Sequence, residues 1–362
     1  MIRIEMLPAS FGDCLLIEYG TDAKRHRILI DAGLKKTYRE TLAPRLAALD
    51  GGAPVELELL VVTHIDRDHI CGILPLLKAN PPVIAPKQVW FNARVHLDPA
   101  DDTQGVAEGE ELGKLLAKKK IPWNTSFGTS GEKAVRVPDE GPLPVVPLDG
   151  GAVLTLLSPY QKQLTKLAGA WDDELGAWDV DPDGDEDAPE DDDLLGAKAE
   201  PLDGLDADIM NELLETTLTE DKTAPNGSSI AFLFEYDGKR ILFGADAYPS
   251  VMLASLDRLS GDRIRLDAFK LSHHGSKNNI SAALLEKIEC RRFLVSSDGS
   301  AYGHPNPETL ALIVSSTNKP KHLCFNYRSG YTEVWDDEAM TKAHRYMCVY
   351  PAVAKDGFVL EL

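Results

Sequence analysis

Four side chains able to hold a metal ion stand within six residues of this chain: His64-Ile65-Asp66-Arg67-Asp68-His69. They directly follow an apolar run (Leu57, Leu59, Leu60, Val61, Val62) that reads as a buried strand. The mouth of such a strand is where an α/β sheet displays its catalytic loops. A sharply turning loop there can aim donors at i, i+2, i+4 and i+5 into two adjacent sites. Two divalent ions held ~3.5–4 Å apart polarise a phosphoryl or carbonyl oxygen and generate hydroxide near neutral pH. The first reading is therefore a metal-dependent hydrolase, with His64 and Asp66 serving one ion and Asp68 and His69 the other. The bland alternative is a polar surface turn in which all four residue types fell together by chance.

Three further pieces carry chemistry. Ile241-Leu242-Phe243-Gly244-Ala245-Asp246 is a strand ending in a carboxylate, and Asp246 can bridge two ions as a monodentate histidine cannot. Alone it reads equally as a turn or cap residue. Leu271-Ser272-His273-His274-Gly275-Ser276-Lys277 again follows a strand. Neighbouring histidines point in different directions, so one of His273 and His274 is expected to bind metal. The other, Ser276 or Lys277 would contact a substrate oxygen or orient a ligand. In Tyr302-Gly303-His304-Pro305-Asn306-Pro307 the prolines and glycine stiffen a loop. His304 there suits an oxyanion donor or a proton donor to a leaving group. Asp68, His304 and Lys277 are the residues expected to act in the chemistry itself.

These pieces need strands to position them. Alternating patterns predict strands near 2–7, 14–19, 27–31, 57–62 and 87–91, with helices near 37–49, 69–79 and 106–120. They predict further strands near 229–236, 240–244, 267–271 and 292–296, with helices near 249–259, 280–288 and 306–316. Late strands fall near 321–327 and 347–361. Strands this apolar suit sheets covered on both faces, hence a layered α/β fold.

The net charge of -20 is concentrated in one place. Residues 171–221 hold 21 Asp/Glu and a single basic residue, Lys198, so the rest of the chain is close to neutral. Acidity confined to an insert, 159–225, does not argue against a polyanionic substrate. Its middle, Asp179 to Asp193, is too polar to order itself. Ile209, Leu213, Leu214 and Leu218 sit at helical spacing, and Trp171 and Trp178 are apolar anchors. This insert reads as a solvated loop with a docked helix, or as an acidic lid or protein-partner arm. The five cysteines (Cys14, Cys71, Cys290, Cys324, Cys348) form no CxxC pair, which suits reduced thiols in the cytoplasm. No stretch reaches the ~18 apolar residues of a membrane span, and the N-terminus lacks a signal peptide's pattern.

The order HxDxDH, Gly-x-Asp, HHGS and GHP resembles the metallo-β-lactamase fold. Within it, the order is similar to the C-terminal hydrolase-like domain of the bacterial competence protein ComEC. Gly12-Asp13, Ile30-Asp31-Ala32-Gly33, and Asn226 with Ser229 extend the likeness, which covers most of 1–158 and 226–316. The resemblance implies one four-layer αββα sandwich of two similar halves over residues 1–362, with a metal cleft at the sheet edges. It maps His64, Asp66, Asp68, His69, Asp246 and one of His273/His274 onto metal positions. It also sets His304 beside the cleft and makes Asp31 a carboxylate behind the ligands. The more widespread form of the fold has His where this chain has Asp66, and oxygen donors shift preference toward manganese or magnesium, zinc remaining open. His96 is the one candidate between 81 and 158 for an additional imidazole.

Three functions follow. The first is a phosphodiesterase, with nuclease action on DNA or RNA included, using two divalent ions (Zn or Mn). Lys118 to Lys120, Lys277, Arg291 and Arg292 could face phosphates, or form solvated faces. The second keeps the fold and hydrolyses a small ester, lactone, amide or thioester. The third is a regulatory, non-catalytic module binding a protein through the acidic insert.

Overall fold

Nearly continuous apolar strands split their side chains between two faces, because successive residues of a strand point opposite ways. Ile28, Ile30, Leu59 and Val61 enter one core, while their neighbours Leu29, Leu60 and Val62 enter another. This is a computed structural model, and it describes residues 1–49, 51, 53–97, 111–176, 200–317 and 319–362, with side chains of 172–176 left aside.

In chain order the strands are β1 (Ile2–Met6), β2 (Leu15–Thr21), β3 (Lys24–Ile30), β4 (Val55–Leu57), β5 (Leu59–Val61) and β6 (Ile84–Pro86). They continue as β7 (Val89–Trp90), β8 (Val145–Pro147), β9 (Val153–Ser158), β10 (Ala231–Tyr236), β11 (Lys239–Phe243) and β12 (Ile264–Leu266). The last six are β13 (Ala268–Lys270), β14 (Ile288–Cys290), β15 (Arg292–Val295), β16 (Lys321–Phe325), β17 (Tyr346–Val349) and β18 (Phe358–Glu361). A six-stranded sheet runs β18-β1-β2-β3-β5-β7, and an eight-stranded sheet runs β17-β16-β15-β13-β11-β10-β9-β8. Two short pairs, β12-β14 and β4-β6, stand beside them.

The two large sheets pack face to face. Tyr19 meets Phe234 edge-on at 5.6 Å between ring centroids, and Trp90 meets Phe232 at 6.1 Å. Helix residues Leu42, Leu46, Ile73, Leu76 and Leu116 cover the outside of the first sheet. Met252, Leu256, Leu284, Leu310 and Ile313, from the helices Pro249–Leu259, Ala282–Lys287 and Pro307–Ser315, belong with the second. The result is the helix–sheet–sheet–helix sandwich that the resemblance implied.

Strand direction places the chemistry. β3 and β5 are parallel, as are β11, β13 and β15, so their C-terminal ends share an edge within each sheet. Asp31, His64, Asp246, His273/His274 and Ser296 all lie just past those ends.

The structure adds and corrects elements. The edge strand β8 and its neighbour β9, which leads into the acidic stretch, were not expected from the pattern. The expected late strand at 347–361 is two strands, β17 and β18, which join different sheets. The interval holds Pro351, which lacks a ladder donor, and Gly357 at φ 70. The helix expected at 106–120 is described as Glu111–Lys119. In the acidic stretch, Gln161–Gly176 is helical and buries Leu164, Leu167 and Trp171. The expected helix around Ile209 and Leu213 is Ala207–Glu215, capped by Asp206, whose side chain accepts from the Asp208 and Ile209 amides. Trp178 and Asp179 to Asp193 lie outside the described residues. Among the described residues no helix is long and apolar enough to cross a membrane.

Candidate metal centre

Four backbone positions at the site take a left-handed conformation without being glycine: Asp31 (φ 55), Ala245 (φ 43), His273 (φ 47) and His274 (φ 53). Each costs of order 1 kcal/mol or more and persists only where its surroundings hold it. The reversals turn three strand ends inward, and successive left-handed residues send the two histidine rings different ways. Gly12 permits the closest approach: a Cβ there would lie 1.9 Å from the Asp68 carbonyl oxygen. Without a side chain the Gly12-Asp13 loop rests on that turn, and the Asp13 amide donates to the same oxygen at 3.2 Å.

Three imidazoles present a lone pair to one small space. His69 donates from Nδ1 to Asp31 Oδ2 at 2.8 Å, and His274 donates from Nδ1 to the Ser296 carbonyl at 3.0 Å. Thr63 Oγ1 donates to Asp31 Oδ2 at 2.7 Å, so His64 Nδ1, 2.9 Å from Oγ1, is the donor to it. With every Nδ1 proton committed, each Nε2 is the nitrogen left to meet a cation or take up a second proton. His69 Nε2 and His274 Nε2 are nevertheless 3.2 Å apart. Asp246 Oδ2 lies 3.5 Å from His69 Nε2, 3.7 Å from His274 Nε2 and 3.8 Å from His64 Nε2. His64 Nε2 and Asp246 Oδ1 are buried with no hydrogen-bond partner.

Orphaned acceptors facing one another fit a cation better than they fit each other. The donors form two overlapping groups, His64–His69–Asp246 and Asp68–His69–His274, each with its ligand atoms within 4.8 Å of one another. The pairing differs from the expected His64–Asp66 and Asp68–His69 division, because His69 takes part in both groups. Asp66 Oδ2 stands 3.3 Å from His64 Nε2 at the more open side. The mixture of imidazole and carboxylate donors suits zinc and manganese alike.

Charge follows the same geometry. Burial opposes a proton on His69, yet Asp246, Asp68 and Asp31 outweigh it and hold the ring well above its ordinary pKa. Burial equally opposes charge on Asp246, but His69, His274 and His273 hold it well below the carboxylate range. Behind His274, the Lys270 ammonium meets Asp13 Oδ2 at 2.7 Å, both fully buried. Asp13 Oδ1 lies 3.5 Å from His274 Nδ1.

The remaining candidates divide between this core and places away from it. His304 is buried against His273, ring centroids 5.1 Å apart, and its Nδ1 has no partner. Burial, then His273 and His274, push its pKa well down, so the ring is neutral. Lys277 turns elsewhere: its amine pairs with Glu308 at 2.7 Å, on the helix Pro307–Ser315. His96 supplies no donor, since Nδ1 accepts from the Ala93 amide and Nε2 donates to the Gly131 carbonyl. Lys118 to Lys120 are exposed around the end of their helix. Arg291 and Arg292 stand at the start of β15, the end remote from the site. Asp221 and Asn279 were not singled out from the sequence, yet both reach His273, at 3.5 and 2.9 Å from Nδ1. Nothing but their burial distinguishes them from other polar loop residues.

Residues 7–156, which include the His64–His69 cluster, match the model of the metallo-beta-lactamase superfamily. That part of the chain is similar to the superfamily. Asp246, His273 and His274 lie beyond the matched residues but meet its cluster in space. Among solved structures, the chain is similar to Zn(2+)-bound PqqB from Methylobacterium extorquens, at 13% identity and a TM-score of 0.43, over 100% of both chains. It is similar also to YhfI from Bacillus subtilis, a metallo-beta-lactamase fold protein, at 12% identity and 0.41, over 100% of both. The E377D mutant of the CmlA beta-hydroxylase shares 12% identity at 0.40, over 100% of this chain and 54% of that one. No curated protein matches the sequence.

Proposed function

We propose that the chain is a metal-dependent hydrolase whose first substrate class is phosphodiesters, single-stranded nucleic acid among them. The observation that carries this reading is the pair of overlapping donor groups sharing His69, with Asp246 Oδ2 between the histidines. Bound divalent ions, zinc or manganese, would supply Lewis-acid polarisation and an acidified water, and adjacent ions suit in-line displacement at phosphorus. The residues would do the rest. Asp31 holds His69, and Thr63 relays the same carboxylate to His64. His304, neutral and with an unpartnered nitrogen, favours hydrogen bonding to a developing oxyanion over delivering a proton. Lys277 would need to leave Glu308 to reach a substrate, so it is dropped from the catalytic set.

The likeness to the ComEC branch supports the phosphodiester choice through HxDxDH, HHGS and GHP. The same centre would also serve a carbonyl ester or lactone. Protein loaded with Mn²⁺ or Zn²⁺ should cleave bis(p-nitrophenyl) phosphate or single-stranded DNA or RNA. Turnover of p-nitrophenyl acetate or a lactone, with none on phosphodiesters, would move the assignment to carbonyl chemistry.

A further inference from the structure

Among the described residues of the acidic stretch 159–225, one carboxylate is withdrawn from solvent: Asp221 is 7% exposed. Its amide donates to the Asn278 carbonyl at 3.0 Å, pinning the end of the stretch to the loop that follows His274. Upstream, the helix Ala207–Glu215 packs against Pro307–Ser315, the helix that follows the His304 loop. The stretch therefore touches both loops that bring second-half histidines to the centre.

The Asp221 carboxylate fixes more than itself. Oδ1 accepts the Thr223 amide at 2.8 Å, and Oδ2 accepts Asn226 Nδ2 at 2.6 Å and Asn279 Nδ2 at 3.1 Å. Asn279 Nδ2 also donates to the Asp246 carbonyl at 3.0 Å. With its amide nitrogen held by two acceptors, Asn279 has to turn Oδ1 toward His273, whose Nδ1 lies 2.9 Å away. The Nδ1 proton of His273 is thereby committed, and its Nε2 is left as an acceptor 3.9 Å from Asp246 Oδ2.

We propose that Asp221 is a positioning residue of the metal centre, fixing through Asn279 the tautomer and heading of His273. The acidic insert thus contributes to the site itself. This rests on the metal-dependent reading, since a held imidazole matters only if an ion or substrate meets its free nitrogen. Outer partners of this kind are typically worth 10- to 100-fold in metal affinity or activity.

The test uses the full chain, stripped of metal and reloaded with Co²⁺, as wild type, Asp221→Ala, Asp221→Asn, His273→Ala and the Asp221→Ala/His273→Ala double variant. Asp221→Ala should alter the visible Co²⁺ spectrum and lower kcat by about 10- to 100-fold, with KM within about twofold. Asp221→Asn, which keeps one acceptor oxygen, should recover most of both, which a misfolded variant would not. The double variant should be no worse than His273→Ala. An unchanged Co²⁺ spectrum in Asp221→Ala, or losses that add in the double variant, overturns the proposal. A wild type that binds Co²⁺ but hydrolyses no ester sinks the hydrolase reading alone, and the spectra still decide Asp221. A wild type that takes up no Co²⁺ overturns both.

Discussion

The Nε2 atoms of His69 and His274 face each other at 3.2 Å, while the Nδ1 of each ring is committed to Asp31 and Ser296 respectively. Two lone pairs at that distance repel unless a cation or a proton sits among them. The fold maintains the opposition at the expense of several left-handed residues, so a ligand that relieves it should stabilise the whole chain. Zn²⁺ or Mn²⁺ at about a hundredfold excess over Kd should add about 2.7 kcal/mol. Thermal melting with metal and with chelator measures this, and identical melting points would count against the site.

Asp31 holds two of the ligands through one carboxylate. Asp31→Ala removes the acceptor of His69 Nδ1 and the anchor of Thr63. Metal affinity should fall about 10- to 100-fold, read by competition with a chromophoric chelator. Wild-type affinity in this variant would mean the rings are held by packing alone.

The Lys270–Asp13 pair joins β13 to the loop between β1 and β2, with both groups buried. Lys270→Met leaves Asp13 without its closest cation and should cost about 3–5 kcal/mol. Replacing both partners by apolar residues should cost less than the single change, because no charge is stranded. Denaturant midpoints distinguish the two outcomes, and equal losses would contradict the account.

Burial lowers the His96 pKa to about 4, with the Gly131 carbonyl acting weakly the other way. The unfolded chain takes up this proton near pH 6.5 and the folded chain does not until about 4. The folded state should therefore lose stability as pH falls from about 6.5 toward 4, by roughly 3 kcal/mol in all. His96→Gln should flatten that part of the pH–stability curve. A slope identical to wild type would show that other groups govern it.

Much of this was legible in the sequence because local pattern and tertiary role agree. Leu59 to Val62 had to be a strand covered on both faces, and the cluster after it had to lie at the sheet edge. β8 escaped because three residues at a sheet edge carry little periodic signal, and β9 because its buried run abuts a polar stretch. The segment 347–361 looked like one strand since apolar content alone does not tell which sheet a residue joins. The choice between His273 and His274 needed two left-handed turns that no spacing rule contains. Lys277 looked catalytic from its place beside HHGS, but its partner Glu308 lies 31 residues away in sequence. Asp221 was hidden by its neighbours: among 21 acidic residues of 171–221, only the fold reveals that this one is buried.

The most direct test is metal content and phosphodiester turnover measured together on wild type and Asp246→Ala, purified without chelator. Asp246 Oδ2 lies within 3.9 Å of four histidine nitrogens, so its loss should disrupt both donor groups. The account predicts about two equivalents of metal and hydrolysis in wild type, with most of the metal and nearly all turnover gone in the variant. A wild type without metal, or an Asp246→Ala protein with full metal and full turnover, would contradict it.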